Sequence, residues 1–171
     1  MEPELHPDLL PVSFLVGTWL GHGTGEYPTI KPFRYNEEVR FWHVGKAFLA
    51  YEQRTWAPDT GRPMHSEMGY WRCNSDGDLQ VVLTHPTGVV EVSEGTVRGA
   101  AIEFATTHIA LVPGAKDVEK LQRSFLIAGD LLTYEVRMAA VGEPLQHHLA
   151  AELNRVPPRE VAVEVAEETL T

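Results

Sequence analysis

The sequence is short of the residues that several common chemistries require. Cys73 is its single cysteine, so neither an internal disulfide nor a cysteine-based zinc knuckle can form. Lys and Arg number 14 against 24 Asp and Glu, a net charge of −10 that disfavours a phosphate backbone or an anionic membrane surface as partner. No apolar run reaches membrane-spanning length, and the acidic start MEPELHPDLL lacks the basic-then-apolar order of a signal peptide. A cytoplasmic protein with neither nucleic acid nor membrane as partner is therefore expected. There is no G-x-S-x-G elbow and no H-E-x-x-H; His65-Ser66-Glu67 has the wrong spacing and sits on a strand. Glu37 and Glu38 fall on opposite strand faces and cannot act as a paired acid and base. Long helical periods and internal repeats are absent as well.

What fills the chain instead is short alternating segments. The length, 171 residues, suits one domain with a real core. Residues 7–15 are a short helix candidate opened by Pro7-Asp8, a segment suited to lidding one end of a barrel. Strands are expected from about residue 17 and at 34–43, 47–56, 64–73, 79–85, 88–97, 101–111, 118–127, 131–140 and 148–155. Turns such as Asp59-Thr60-Gly61-Arg62-Pro63, Asn74-Ser75-Asp76-Gly77-Asp78 and Ala128-Gly129-Asp130 separate them. The pattern predicts an all-β fold: a compact antiparallel ten-stranded β-barrel with a short N-terminal helix, over residues 1–156. Residues 157–171 read as a mobile, charged tail.

The first strand stands out. In Gly17-Thr18-Trp19-Leu20-Gly21-His22-Gly23-Thr24-Gly25-Glu26-Tyr27, four glycines share one face with Trp19 and Tyr27, and His22 points the other way. A trough without side chains suits a ligand lying against the backbone, or else a barrel corner or bulge where glycine relieves crowding. It is not a nucleotide loop, because the run leads into Tyr27-Pro28 rather than a helix N-terminus. Eight histidines is a high count for such a chain. A lone histidine is usually exposed or hydrogen-bonded in a wall, and His6 and His108 are read so.

G-x-W-x-G-x-G followed by G-x-Y-P-T-I resembles the nitrobindins, haem-binding β-barrels shaped like fatty-acid-binding proteins. The resemblance runs on through Tyr35-Asn36-Glu37-Glu38, His43-Val44-Gly45-Lys46, Pro63 to Tyr70, Thr87 to Val92 and Met138 to Leu153, covering roughly residues 7–156. It implies one haem b per chain, with His148, the histidine just before Leu149-Ala150-Ala151-Glu152-Leu153, as the iron ligand, rather than His147. His148 faces opposite Leu149, Ala151 and Leu153 if all of 148–154 is strand, so Pro144–His148 is expected to be a turn. His65 matches a distal-side histidine able to steer a bound oxidant, which places it with His148 among the catalytic candidates; a wall histidine paired with Glu67 is the competing reading. Thr29, Trp19, Gly21 and Gly23 are the remaining candidates for contact with the cofactor, and Lys116 and Arg123 for its propionates. The implied activity is isomerisation of peroxynitrite to nitrate on ferric haem, with nitric oxide bound on the reduced iron and an apolar distal side. A homodimer is left open.

A second class stays open. The same barrel shape serves non-haem carriers of hydrophobic small molecules, which fix a carboxylate with inward arginines and tyrosines. Arg123, Arg137 and Tyr134 are available, though Tyr134 has parity opposite to both arginines.

Overall fold

A computed structural model describes residues 3–157. The charged tail expected at 157–171 lies, but for Pro157, outside the described residues. An N-terminal helix (Pro7–Leu15) is followed by ten strands: β1 (Gly17–Tyr27), β2 (Ile30–Trp42), β3 (Leu49–Trp56), β4 (Pro63–Cys73), β5 (Asp78–His85), β6 (Val89–Arg98), β7 (Ala101–Leu111), β8 (Val118–Ala128), β9 (Leu131–Ala140) and β10 (Glu143–Arg155). Each pairs antiparallel with its neighbour in sequence, and β1 also pairs with β10, so the sheet closes into a barrel without free edges along most of its length.

The strands form because apolar residues recur at every second position and turn residues interrupt them. β5 is the plainest case: Leu79, Val81 and Leu83 are buried and Gln80, Val82 and Thr84 face water. Two strands are longer than the alternation suggested. β2 starts at Ile30 rather than 34, and β10 at Glu143 rather than 148.

One end of the barrel is plugged. The N-terminal segment is a 3₁₀ helix, consistent with Pro11 in its middle, and Leu9, Val12 and Leu15 are fully buried under it. Each such side chain contributes about 1.5–3 kcal/mol by leaving water. Trp19 belongs to this plug: its Nε1–H donates to the Leu15 carbonyl at 2.8 Å, and the Arg155 guanidinium lies 4.1 Å over its ring. Arg155 also donates to the carbonyls of Val16 (2.7 Å) and Phe14 (2.6 Å), tying the helix exit to the last strand. The other end is open. There β7 and β8 pair only over Ala101–Ala105, and beyond that Thr106 Oγ1 bridges to the Leu121 backbone.

The glycine trough of β1 is filled by the protein itself. A Cβ on Gly21 would strike the Glu152 carbonyl of β10; one on Gly23 would strike the Tyr35 ring and come 2.6 Å from the Ala150 carbonyl; one on Gly25 would strike the Phe33 ring. Gly69 and Gly95 meet neighbouring backbone in the same way, at the Val82 and Glu103 carbonyls. These glycines let strands and aromatic rings crowd together where the barrel turns, which is the corner reading.

Candidate functional site

The open end leads into a cavity of about 580 Å³, a volume in the range of small-molecule sites. Its upper walls are apolar, with Phe33, Val118, Leu121, Val136, Met138 and Leu149 among them. Deeper down the lining becomes polar.

His148 lines this cavity, and so does its neighbour Leu149. Strict alternation forbids that. The expected turn over Pro144–His148 is corrected by β10, which already runs from Glu143. The register supplies the real reason: His147 pairs with Arg137 and Leu149 with Val136, so one residue is extra at His148. A β-bulge of this kind re-aims one side chain, here an imidazole, onto the apolar face. His148 Nδ1 lies 3.0 Å from the Glu26 carbonyl of β1. A carbonyl only accepts, so Nδ1 carries the proton and Nε2 keeps its lone pair. Tyr27 packs edge-on against the ring at 5.4 Å, held by its own bonds to the Ala140 backbone. Burial lowers the His148 pKa, which favours the neutral ring.

A neutral imidazole with one nitrogen fixed by a carbonyl, the other free, and an apolar slot above it is the donor set that a haem iron takes. Val141, at φ +51°, and Gly142, at φ +83°, form the two-residue turn between β9 and β10, and Val141 lines the same cavity as His148.

Four strands lie between β10 and β5 on either side of the ring of ten, so the wall opposite His148 is built by β5 and its neighbours. That wall carries charge. His65 (β4) and His85 (β5) meet through Nε2 and Nδ1 at 3.1 Å. His85 Nε2 is 2.6 Å from Glu91 Oε1. Arg123 (β8) donates to Glu91 Oε2 at 2.5 Å and to Glu67 Oε2 at 3.1 Å, and Tyr51 O–H donates to Glu67 Oε1 at 2.8 Å. Burial pushes both carboxyls up, but the Arg123 charge and the histidine contacts together outweigh it and hold them below the usual range. Beside this network Glu37 is buried and accepts from Tyr134 O–H at 2.8 Å and from Gln53 Nε2 at 2.8 Å. With no cation on it, burial pushes its pKa up to about 7. Gln53 Oε1 has no partner although it is buried.

The expected site residues divide accordingly. His148, His65 and Thr29 line the cavity. Trp19, Gly21 and Gly23 do not: Trp19 sits in the plug at the closed end, and the glycines face Tyr35 and the β10 backbone. Lys116 lines the cavity and is exposed, whereas Arg123 is deep inside and engaged by two carboxylates, away from any propionate at the mouth. The resemblance implies an apolar distal side; the wall opposite His148 carries five ionisable side chains, His65, Glu67, His85, Glu91 and Arg123. His6 caps the 3₁₀ helix, His108 is exposed, and His22 points out as expected.

Sequence reading missed Glu67, His85, Glu91 and Glu37 as a group. The signal was present as acidic residues at inward positions: Glu37 shares a face with Tyr35 and Val39, and Glu91 with Val89 and Ser93. The parity argument about Tyr134 holds only along one strand. Arg123 pairs with Val136 and Phe125 with Tyr134, so Arg123 and Tyr134 share the inner face, while Arg137 points out.

Known proteins match this chain along most of its length. The family model described as THAP4-like, heme-binding beta-barrel domain matches residues 8–155. The protein named Peroxynitrite isomerase 1 of Mycolicibacterium paratuberculosis is 54% identical over 159 residues, covering 91% of this chain and 99% of its own. Peroxynitrite isomerase of Nocardia farcinica is 50% identical over 155 residues, covering 88% and 92%. The crystal structure of Rv2717c from M. tuberculosis superposes with a TM-score of 0.86 at 49% identity, over 90% of this chain and 99% of that one.

Proposed function

The chain belongs to the nitrobindin family of THAP4-like haem-binding β-barrels, and from that premise we propose that it is a haem-dependent peroxynitrite isomerase using His148 as its iron ligand. The observation that carries this reading is the bulge at His148, which presents a neutral imidazole with a free Nε2 to an otherwise apolar slot. We take the group to be one haem b per chain.

When bound, the haem supplies an electrophilic ferric centre for the peroxide end of peroxynitrite, and the conversion to nitrate involves no net redox change. The chain does the rest. Glu26, through its carbonyl, fixes the His148 tautomer and ring angle. Phe33, Val118, Met138 and Leu149 exclude water and bulky molecules from the slot. His65, on the wall opposite His148 and half-exposed, is in place to exchange a proton with a small anionic oxidant in the cavity. Thr29 and Lys116, exposed at the mouth, are suited to meet the polar edge of the cofactor. Nitric oxide as a ligand of the reduced form, and the cytoplasm as the place of action, complete the proposal and rest on the family resemblance.

The carrier reading loses its main support in the structure, because the inward Arg123 is already neutralised by Glu67 and Glu91. The test is a hemin titration followed by peroxynitrite decay with nitrate measured as product. Saturation at one hemin per chain and faster decay with a raised nitrate yield are expected; decay no faster than with free hemin refutes the activity.

A further inference from the structure

We propose that His65, Glu67 and His85 form a second metal site, for a divalent ion of the zinc type, on the wall opposite His148. It requires no haem and does not depend on the haem reading, though an ion held at His65 Nε2 would take that nitrogen from the proton exchange proposed above.

The geometry carries the idea. His65 Nε2, His85 Nδ1 and Glu67 Oε2 form a triangle with edges of 3.1, 3.4 and 3.8 Å. Bonds of about 2.0–2.2 Å to a tetrahedral zinc put its ligand atoms roughly 3.3–3.6 Å apart, so one ion can reach all three with shifts of a few tenths of an ångström. Two imidazoles and a carboxylate are the donor set of an open zinc site. All three residues line the cavity, so the fourth position opens into it.

The outer partners are in place. Glu91 Oε1, fully buried, holds the proton of His85 on Nε2 at 2.6 Å, which leaves Nδ1 free to ligate. Tyr51 and Arg123 hold the two oxygens of Glu67, and the guanidinium uses only one of the lone pairs on Oε2.

Charge adds to this. Glu67, Glu91 and Arg123 together leave one negative charge buried, which has to be balanced. A divalent ion reverses the sign to a single positive charge, so the open position favours an anion. The rival arrangement keeps the direct His65–His85 contact and binds no metal.

The experiment is equilibrium dialysis of the full chain against micromolar Zn²⁺, before and after hemin loading, with bound metal counted per chain. One zinc per chain is expected in both forms. His65→Ala/His85→Ala should abolish it, Glu91→Gln should weaken it roughly ten- to hundredfold, and His147→Ala/His148→Ala should leave it intact. Co²⁺ added to the unmodified, haem-free chain should show the visible bands of a tetrahedral site, a readout that needs no variant to fold. Absence of bound zinc and of those bands, or zinc retained at full stoichiometry in His65→Ala/His85→Ala, overturns the proposal. Loss of hemin binding with zinc retained refutes the haem reading alone.

Discussion

His148 Nδ1 and the Glu26 carbonyl oxygen stand 3.0 Å apart across the seam where the barrel closes. The bond links the first strand to the last and decides which imidazole nitrogen is left to ligate. Closure of the fold and preparation of the site are therefore one event: Nε2 is presented only where β1 and β10 pair.

The first prediction follows from that bond. His148→Ala should lower hemin affinity by more than the roughly ten- to hundredfold typical of losing an outer-shell partner. His147→Ala, one position before the bulge, should change it little. The pH dependence has a definite sign. With the proposed ligation a proton would compete with the iron for Nε2, and the His148 pKa lies below the ordinary histidine value of about 6.5. Hemin affinity should therefore hold from pH 8 down to about 6.5 and fall only below it. A Soret titration across that range checks both points; equal loss in the two variants would assign the ligand to the wrong neighbour.

Glu37 gives the second prediction. Its folded pKa of about 7 exceeds the ordinary carboxylate value, so the folded state keeps a proton that the unfolded chain releases. Between about pH 4.5 and 7 the folded state binds more protons, so this residue makes stability fall as pH rises, then level off. The total is on the order of 3 kcal/mol. Glu37→Gln should remove that slope and be the more stable protein at pH 8. Denaturant melts of the haem-free chain at pH 5 and pH 8, compared with wild type, read the difference; parallel changes in the two proteins would show that Glu37 is ionised in the fold.

The third prediction concerns the glycines. Gly21→Ala, Gly69→Ala and Gly95→Ala each put a methyl group into the carbonyl of an adjacent strand, and should destabilise the haem-free barrel by about 3 kcal/mol or more. Gly23→Val meets the flexible Tyr35 ring but also the Ala150 backbone, so its melting temperature should fall alongside any loss of hemin. A normal apo melt with hemin affinity lost would restore Gly23 to the cofactor site.

Ten strands and a plugged end were legible because each wall repeats the same two-residue alternation, and every turn between strands except Pro28-Thr29 carries a glycine, asparagine or aspartate. His148 was reached through the family motif, but its geometry was not, because a bulge breaks the alternation on which strand reading depends. The glycines show the opposite failure. Their shared face was read correctly, yet periodicity cannot say whether a trough receives a ligand or the ring of Tyr35 on the next strand. The wall of Glu67, His85, Glu91 and Arg123 comes from three further strands besides that of Glu67, and only the closed register brings them together.

The fourth prediction separates carrier from haem protein. Among the described residues Arg123 is the one arginine on the cavity wall, and both its carboxylate partners are buried with it. A fatty-acid carboxylate placed there would face two like charges. A fluorescent fatty acid should therefore show no saturable binding to the haem-free chain. Arg123→Met should destabilise the fold by about 3–5 kcal/mol, since it strands two buried carboxylates. Tight fatty-acid binding lost in Arg123→Lys would reinstate the carrier.

The last prediction concerns Val141. A β-branched residue at φ +51° is held outside its preferred conformations, at a cost of about 1–3 kcal/mol. The two-residue turn it forms with Gly142 favours Asn or Gly at its position. The chain nevertheless keeps an apolar, half-uncovered valine there, on the wall of the cavity that His148 also lines. Local backbone energetics do not explain that choice; contact with an apolar ligand in the slot would. Val141→Asn should thus raise the apo melting temperature, while lowering hemin affinity several-fold. Thermal melts and Soret titrations on the same preparation separate the two effects. If the variant gains stability and binds hemin as well as wild type, the strained turn serves neither the fold nor the cofactor, and its valine has no role in the site.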